Sequence, residues 1–194
     1  MSLTDLSLRS FLDELSAGSE TPGGGSALAV TLAVSAAVVE MSARLSAPSW
    51  PAAAEVASHA SALRARATAL VDEIADAYAQ ALAARGEAAA TMTRAERNAE
   101  VGRTFAAAAE PPLEIARVAA EVAELAELVA YHGEPHVQPD AAVAAEVAAA
   151  AARGGLALVE VNLTAQSSDP RVEEATKLLA SAERAAARAV ARSG

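Results

Sequence analysis

The sequence has no cysteine, few aromatic residues and fewer basic than acidic side chains. The absence of cysteine excludes disulfides and thiolate chemistry in this chain of 194 residues. Aromatic residues make up only 3% of it, and no segment alternates β-branched or aromatic residues with polar ones, so no β-strand is predicted. The formal net charge of −10 argues against nucleic acid and anionic membranes as partners, because both are bound through basic surfaces.

Long apolar segments are missing as well. The longest, residues 27–39, contains Thr31 and Ser35 and is shorter than the roughly 20 residues that a membrane-spanning helix needs. The N-terminus carries Asp5 and Arg9 among polar residues, unlike a signal peptide. These features predict a cytoplasmic protein without a membrane partner.

Alanine at helical spacing is the most abundant feature of the chain. Hydrophobic residues make up 53% of it, and alanine, which has the highest helix propensity, supplies most of them. Because alanine is small, helices that face one another through it can pack closely. The sequence therefore predicts one all-α domain over residues 1–194, a mostly antiparallel up-and-down bundle of six or seven helices. Long helices with few bulky core residues also predict a homodimer.

Capping residues and helix breakers locate the predicted helices. Ser26 and Asp140 are predicted N-caps, Thr93 begins a capping-box pattern, and Asp169 is a cap followed by proline. Gly86 is predicted to end the third helix. The predicted helices cover residues 4–17, 26–45 and 52–85, a segment beginning at 93, residues 113–131 and 140–163, and a last segment beginning at 169.

Residues 22–26, Pro-Gly-Gly-Gly-Ser, form the most informative motif, because they open the apolar second helix. Consecutive glycines let the backbone approach a ligand or another helix. Free N–H groups at the helix start favour an anion or a polar heterocycle. A flexible turn between helices is the alternative, and the lysine of a phosphate-binding P-loop is absent. The predicted binding residues of this motif are Pro22, Gly23, Gly24, Gly25 and Ser26.

Acidic residues cluster on the third predicted helix, at Asp72, Glu73 and Asp76. Asp72 and Asp76 are four residues apart and share a helix face. Two such carboxylates can transfer protons or hold a cationic substrate, or they can simply form a solvated acidic surface.

Other polar positions have simpler interpretations. Asp140 is interpreted first as a helix cap. Asn162 lies in an apolar helical segment and needs a hydrogen-bond partner, either from an adjacent loop or from a ligand. His132 and His136 have metal-like spacing, but the glycine and proline between them deny them a common helix face, so no metal site is predicted.

These motifs occur in an order that resembles a known family. A short helix followed by the Pro-Gly-Gly-Gly-Ser motif and an alanine-rich helix resembles the start of the formiminotransferase-cyclodeaminase C-terminal domain. This family includes stand-alone methenyltetrahydrofolate cyclohydrolases. The resemblance continues over nearly the whole chain, through residues 72–78, 93–97, 112–113, 133–140 and 154–163.

The resemblance implies a dimeric all-helical enzyme that acts on folates. The implied reactions are hydrolysis of 5,10-methenyltetrahydrofolate to the 10-formyl form and cyclisation of 5-formiminotetrahydrofolate with loss of ammonia, neither of which needs a redox or metal cofactor. A carboxylate would stabilise the methenyl cation and deprotonate water. Asp72, Asp76 and Asp140 are the implied catalytic residues. Arg97, facing the anionic glutamate tail, and Asn162 are implied substrate-binding residues.

The chain departs from the family pattern at several polar positions. Ile74 and Leu158 stand where the family usually has aspartate and asparagine, and Glu134 stands where an asparagine usually follows the loop glycine. These departures support a second hypothesis, in which the chain is a non-catalytic member. It would then bind folate or another small molecule, or act as a helical interaction module.

Overall fold

The computed structural model describes residues 2–163 and 168–193. Within these ranges the regular secondary structure is entirely helical, which confirms the predicted all-α class. Two short 3-10 turns, Leu3–Asp5 and Pro135–Val137, accompany the α-helices. The α-helices are α1 (Leu8–Ser16), α2 (Gly24–Ser46), α3 (Ala53–Thr91), α4 (Arg94–Ala107), α5 (Glu110–His132), α6 (Gln138–Asn162) and α7 (Pro170–Ser193).

Helices α2, α5 and α6 pack against one another at the centre of the bundle. Helix α3 lies against α2 and α5, α7 covers α5 and α6, and α4 packs on α3. Hydrogen bonds from Ser26 to Val71 and from Arg64 to Glu40 show that α2 and α3 are antiparallel. The packing of Gly155 against Pro112 shows the same for α5 and α6. The main neighbouring pairs in the sequence are therefore antiparallel.

Small residues bring the central helices close together. A Cβ on Gly154 would lie 2.6 Å from the side chain of Leu28, and one on Gly155 would lie 2.9 Å from the carbonyl oxygen of Pro112. Fully buried Leu32 and Ile115 supply some of the larger side chains in a core that otherwise consists largely of alanine. Helix α6 thus contacts both α2 and α5 at distances that larger residues would prevent.

Several predicted helix ends were wrong. Ser26 is not the N-cap of α2, because the helix already begins at Gly24 with Gly23 as its cap. Asp140 is likewise inside the first turn of α6, where Pro139 suits an initial helical position. Helix α1 begins only at Leu8, after a cap from the Ser7 side chain, and so does not start at residue 4.

Gly86 does not end α3, which continues to Thr91. A glycine inside a helix costs only about 1 kcal/mol relative to alanine, so helical neighbours can override it. The capping box at Thr93 is confirmed, with both of its reciprocal hydrogen bonds to Glu96 present. Asp169 also caps α7 as predicted, accepting a hydrogen bond from the backbone N–H of Arg171 at 2.9 Å.

Two segments, Gly24–Ser46 and Pro135–Asn162, are long and apolar enough to cross a membrane by length and composition alone. Half of the most apolar window of each is buried inside the fold. Both belong to the central layer, where α2 and α6 pack against each other. Their position as core helices therefore explains the apolar composition of both segments.

Candidate functional site

The start of α2 exposes backbone donors. After α1, the chain turns at Gly18, whose φ of +78° lies in the left-handed region that favours glycine. The N-cap Gly23 offers no side-chain hydrogen bond to the first turn, and the first backbone bond of the helix joins Ala27 N to Gly23 O at 3.1 Å. The N–H groups of the residues between them have no partner within the helix and carry the positive end of its dipole.

A cleft of about 300 Å³ opens beside this helix start. It lies between the beginnings of α2 and α5, the middle of α3 and the end of α6. Its described lining is mostly apolar with a few polar groups, which is typical of sites for small organic ligands. The lining residues are Glu20, Thr21, Gly23, Gly24, Gly25, Ser26, Ile74, Ala75, Tyr78, Ala108, Pro112, Leu158, Val161 and Asn162.

The glycines of the motif differ in what surrounds them. A Cβ on Gly24 would meet no described atom within 4 Å, and one on Gly23 would meet only the Glu20 carbonyl oxygen, at 3.7 Å. A Cβ on Gly25 would overlap the Cδ1 atom of Ile74. Gly25 therefore allows α2 to pack on α3, whereas Gly24 leaves space open. Because Gly24 and Gly25 are both helical, these two residues are not a flexible turn.

The other two residues of the motif are buried. Ser26 is 1% exposed, and its hydroxyl donates a hydrogen bond to the Val71 carbonyl oxygen at 2.9 Å. Pro22 is buried, is outside the described lining of the cleft and follows a cis peptide bond. Ser26 thus joins α2 to α3 through its side chain, although it also contributes to the cleft wall.

Asn162 closes the cleft at the end of α6. Its side-chain amide donates a hydrogen bond to the carbonyl oxygen of Ala108 at 3.1 Å. The sequence allowed either a loop or a ligand as the hydrogen-bond partner of Asn162. The structure shows a loop partner, at the connection between α4 and α5. The amide holds together two elements that line the cleft.

Tyr78 and Glu20 belong to the lining residues that were not among the predicted site residues. Tyr78 is 39% exposed, and its ring meets Phe105 edge to face at a centroid distance of 6.5 Å. Glu20 is an exposed residue just before the glycine motif. Two features of the sequence could have indicated these residues. Glu20 is close to the glycine motif, and Tyr78 follows the acidic cluster on α3.

The structure places none of the three predicted carboxylates at this cleft. Asp72 accepts hydrogen bonds from the Ser2 hydroxyl and, at 2.7 Å, from the Leu3 backbone N–H, so it holds the N-terminal 3-10 turn. Asp76 is exposed on α3 outside the described lining. Asp140 is in the first turn of α6, roughly 27 Å from the cleft at about 1.5 Å per residue along that helix.

Arg97 also lies outside the described lining. It is half-buried on α4, where its Nη2 atom donates to the Met92 carbonyl oxygen at 3.4 Å. Its buried Nε atom has no hydrogen-bond partner within the described residues. None of the described residues that line the cleft is basic. An anionic part of a ligand would thus meet backbone N–H groups rather than arginine at this surface.

His132 belongs to an aromatic cluster at the other end of the bundle. Its ring stacks on Trp50 at 5.4 Å and meets Tyr131 edge to face at 4.7 Å. His136 lies in the short 3-10 turn that precedes α6. Among the side chains that the structure describes, no group of three or more histidine and acidic residues is arranged to hold a metal ion.

Comparisons with known proteins agree with this architecture. Residues 7–181 match the model of the family described as formiminotransferase-cyclodeaminase. Over 179 residues, the chain is 31% identical to methenyltetrahydrofolate cyclohydrolase of Methylorubrum extorquens, covering 89% of this chain and 86% of that protein. The crystal structure of formiminotetrahydrofolate cyclodeaminase from Thermotoga maritima superposes with a TM-score of 0.85 at 22% identity, covering 96% and 95% of the two chains.

Proposed function

The chain belongs to the formiminotransferase-cyclodeaminase family, and we propose that it is an enzyme of folate one-carbon metabolism that hydrolyses 5,10-methenyltetrahydrofolate to 10-formyltetrahydrofolate. The observation that carries this proposal is the open cleft where Gly24 exposes the backbone of α2. The cyclohydrolase relative, similar over most of both chains, favours hydrolysis over cyclodeamination. The proposed reaction transfers no electrons and needs no redox cofactor.

The shape and polarity of the cleft suit one end of a reduced folate. A volume of about 300 Å³ is at the lower end for ligand sites, enough for the pterin and its one-carbon bridge while the glutamate tail extends outside. Ile74 and Leu158 offer apolar walls, and the Tyr78 ring offers an aromatic surface for stacking. Backbone N–H groups of the first turn of α2 would donate to the pterin carbonyl oxygen.

The proposed hydrolysis needs the methenyl bridge to be held close to water and a negative charge to be placed near it. The methenyl bridge is a delocalised cation between two folate nitrogens, and water attacks its carbon. Binding in a partly apolar cleft would hold the bridge near ordered water, and a carboxylate would favour the cation and accept the proton. To catalyse this hydrolysis, the chain would therefore need an acidic group at the cleft. The described lining includes one, Glu20.

The test is the decay of the long-wavelength absorbance of methenyltetrahydrofolate in the presence of the protein, compared with buffer. We expect acceleration in proportion to protein concentration. No acceleration would overturn the proposed hydrolysis, and cyclisation of formiminotetrahydrofolate would then identify a cyclodeaminase.

If neither reaction occurs, calorimetric titration with reduced folates tests the alternative of a non-catalytic binder, which the apolar Ile74 and Leu158 in the cleft favour. Absence of binding would leave a helical interaction module.

We also propose that the protein is a cytoplasmic homodimer. Helix α2 carries exposed apolar side chains along one face, with Val34 57%, Met41 43% and Leu45 49% exposed. These residues are seven and four positions apart, so they form one stripe that a second copy would cover. Sedimentation equilibrium should give twice the mass of 19.5 kDa, and a monomer at micromolar concentration would contradict the proposal.

A further inference from the structure

Glu20 stands out among the acidic residues because it lines the cleft. Among the described residues lining the cleft, it is the only carboxylate. It is exposed, and within the described part of the chain it forms no hydrogen bond or ion pair through its side chain. A carboxylate without a protein partner at the wall of a ligand-sized cleft is available to a ligand or to water.

Two other carboxylates in the N-terminal half of the chain already have partners. Asp72 is held by Ser2 and by the backbone of Leu3. Glu40 accepts a hydrogen bond from Arg64 at 2.9 Å and pairs with Arg44. On α3, the residue that faces the glycine motif is Ile74, which cannot exchange a proton. Among the described lining residues, Glu20 is therefore the acidic group that a substrate in the cleft would meet.

Glu20 is also exposed to solvent while it lines the cleft. It lines the cleft and, together with Thr21, a neighbouring shallow hollow formed by Ala79, Leu82 and Ala83 of α3. The same exposed residue therefore borders both the cleft and bulk water. A group in this position can orient and deprotonate a water molecule as it approaches the ligand.

We propose that Glu20 is the catalytic carboxylate of this chain, and this inference rests on the proposed hydrolysis. The water oxygen bonds to the methenyl carbon, and one water proton passes to the Glu20 carboxylate, which gives a neutral carbinolamine. The bond from that carbon to N5 then breaks. Glu20 returns its proton to N5, the hydroxyl proton leaves to solvent, and the formyl group stays on N10. The net change is addition of one water and release of one proton.

The test compares Glu20→Gln with the unchanged chain in the absorbance assay. We expect kcat to fall by roughly 100-fold or more, the usual contribution of general acid–base catalysis, with KM changed by less than about threefold. The acid limb of the pH profile of kcat/KM should also flatten, because glutamine does not titrate. Glu20→Asp should retain part of the rate, since it keeps a carboxylate. Circular dichroism should show unchanged helicity and Tm, because residue 20 is exposed in a loop.

Glu146→Gln is the matched control, since Glu146 is an exposed carboxylate on α6 about 12 residues before the cleft. It should leave kcat unchanged. Turnover by Glu20→Gln at the rate of the unchanged chain would overturn the role of Glu20 while the proposed hydrolysis stands. An unchanged chain without turnover would overturn both. A loss of rate matched by a loss of helicity, with Glu20→Asp no faster than Glu20→Gln, would also overturn it.

Discussion

The two ends of α2 differ in whether their polar groups have partners. At its start, Gly24 and the backbone N–H groups of the first turn face an open cleft. Toward its end, Glu40 is 6% exposed and is bound by Arg64, while Ser46 donates to the Ser42 carbonyl oxygen and accepts from the Glu134 N–H at 3.0 Å. The end held by the hydrogen bonds of Glu40 and Ser46, here called the closed end, stabilises the bundle, although the buried Ser42 hydroxyl has no partner among the described residues. The start of the helix, the open end, remains able to bind a ligand.

Adding a side chain at Gly24, at the open end, should produce the largest change, a loss of catalytic activity. The Cβ of Gly24→Val would meet no described atom within 4 Å, so its side chain would extend into the open space at the start of α2. We expect kcat/KM for methenyltetrahydrofolate to fall by roughly 100-fold, because displacing a substrate by about 1 Å can cost this much. The Tm should shift by no more than about 4 °C, equivalent to about 1 kcal/mol for a chain of this size.

Gly102→Val is the control for this substitution. A Cβ on Gly102 also meets no described atom within 4 Å, but Gly102 lies on α4 and outside the described lining of the cleft. It should therefore preserve kcat/KM. Parallel losses of activity and Tm in Gly24→Val would show that Gly24 serves the fold rather than the ligand.

The open end was largely predictable from the sequence, because its signal is local. Consecutive glycines before an apolar helical run indicate a helix start with accessible backbone, and the structure places Gly24 there. Local signals also located the capping box at Thr93 and the cap at Asp169. They failed for Ser26, whose hydroxyl bonds to Val71 on another helix. That partner is 45 residues away, and spacing within one segment cannot reveal it.

Which carboxylate lies at the cleft could not be predicted from local sequence signals. Asp72 and Asp76 do share a helix face, but the face of α3 that meets the cleft carries Ile74, Ala75 and Tyr78. Two positions along a helix correspond to about 200° of rotation, so the direction of each face depends on tertiary packing. Asp140 lies outside the cleft for a different reason, since the length of α6 separates it from the lining residues at the end of that helix.

Crowding the closed end should chiefly affect stability. A Cβ on Gly133 would lie 2.5 Å from the Val129 carbonyl oxygen and 3.0 Å from the Ser46 hydroxyl. We expect Gly133→Ala to lower the free energy of unfolding by about 2–3 kcal/mol, because the backbone must shift to accept it. Chemical denaturation measures this change. Gly24→Ala, the same substitution at the open end, should cost almost nothing, and equal losses for the two would contradict the distinction between the ends.

Removing the buried charge at the closed end should have a smaller and pH-dependent effect. The hydrogen bond from Arg64 is the main cause that lowers the pKa of Glu40, and the Arg44 charge adds to it, although burial acts in the opposite direction. Glu40→Gln keeps the shape but loses these charged contacts, so we expect the free energy of unfolding at pH 7 to fall by about 1–2 kcal/mol.

The sign of the pH dependence follows from the lowered pKa. The unfolded chain binds a proton at Glu40 at a higher pH than the folded chain does, so the stabilisation is complete above the ordinary glutamate pKa. It is lost as the pH falls through the lowered value. The difference in Tm between the unchanged chain and Glu40→Gln should therefore be largest at neutral pH and shrink under acid conditions. A difference that stays constant or grows on acidification would show that Glu40 stabilises the closed end by packing and not by its charge.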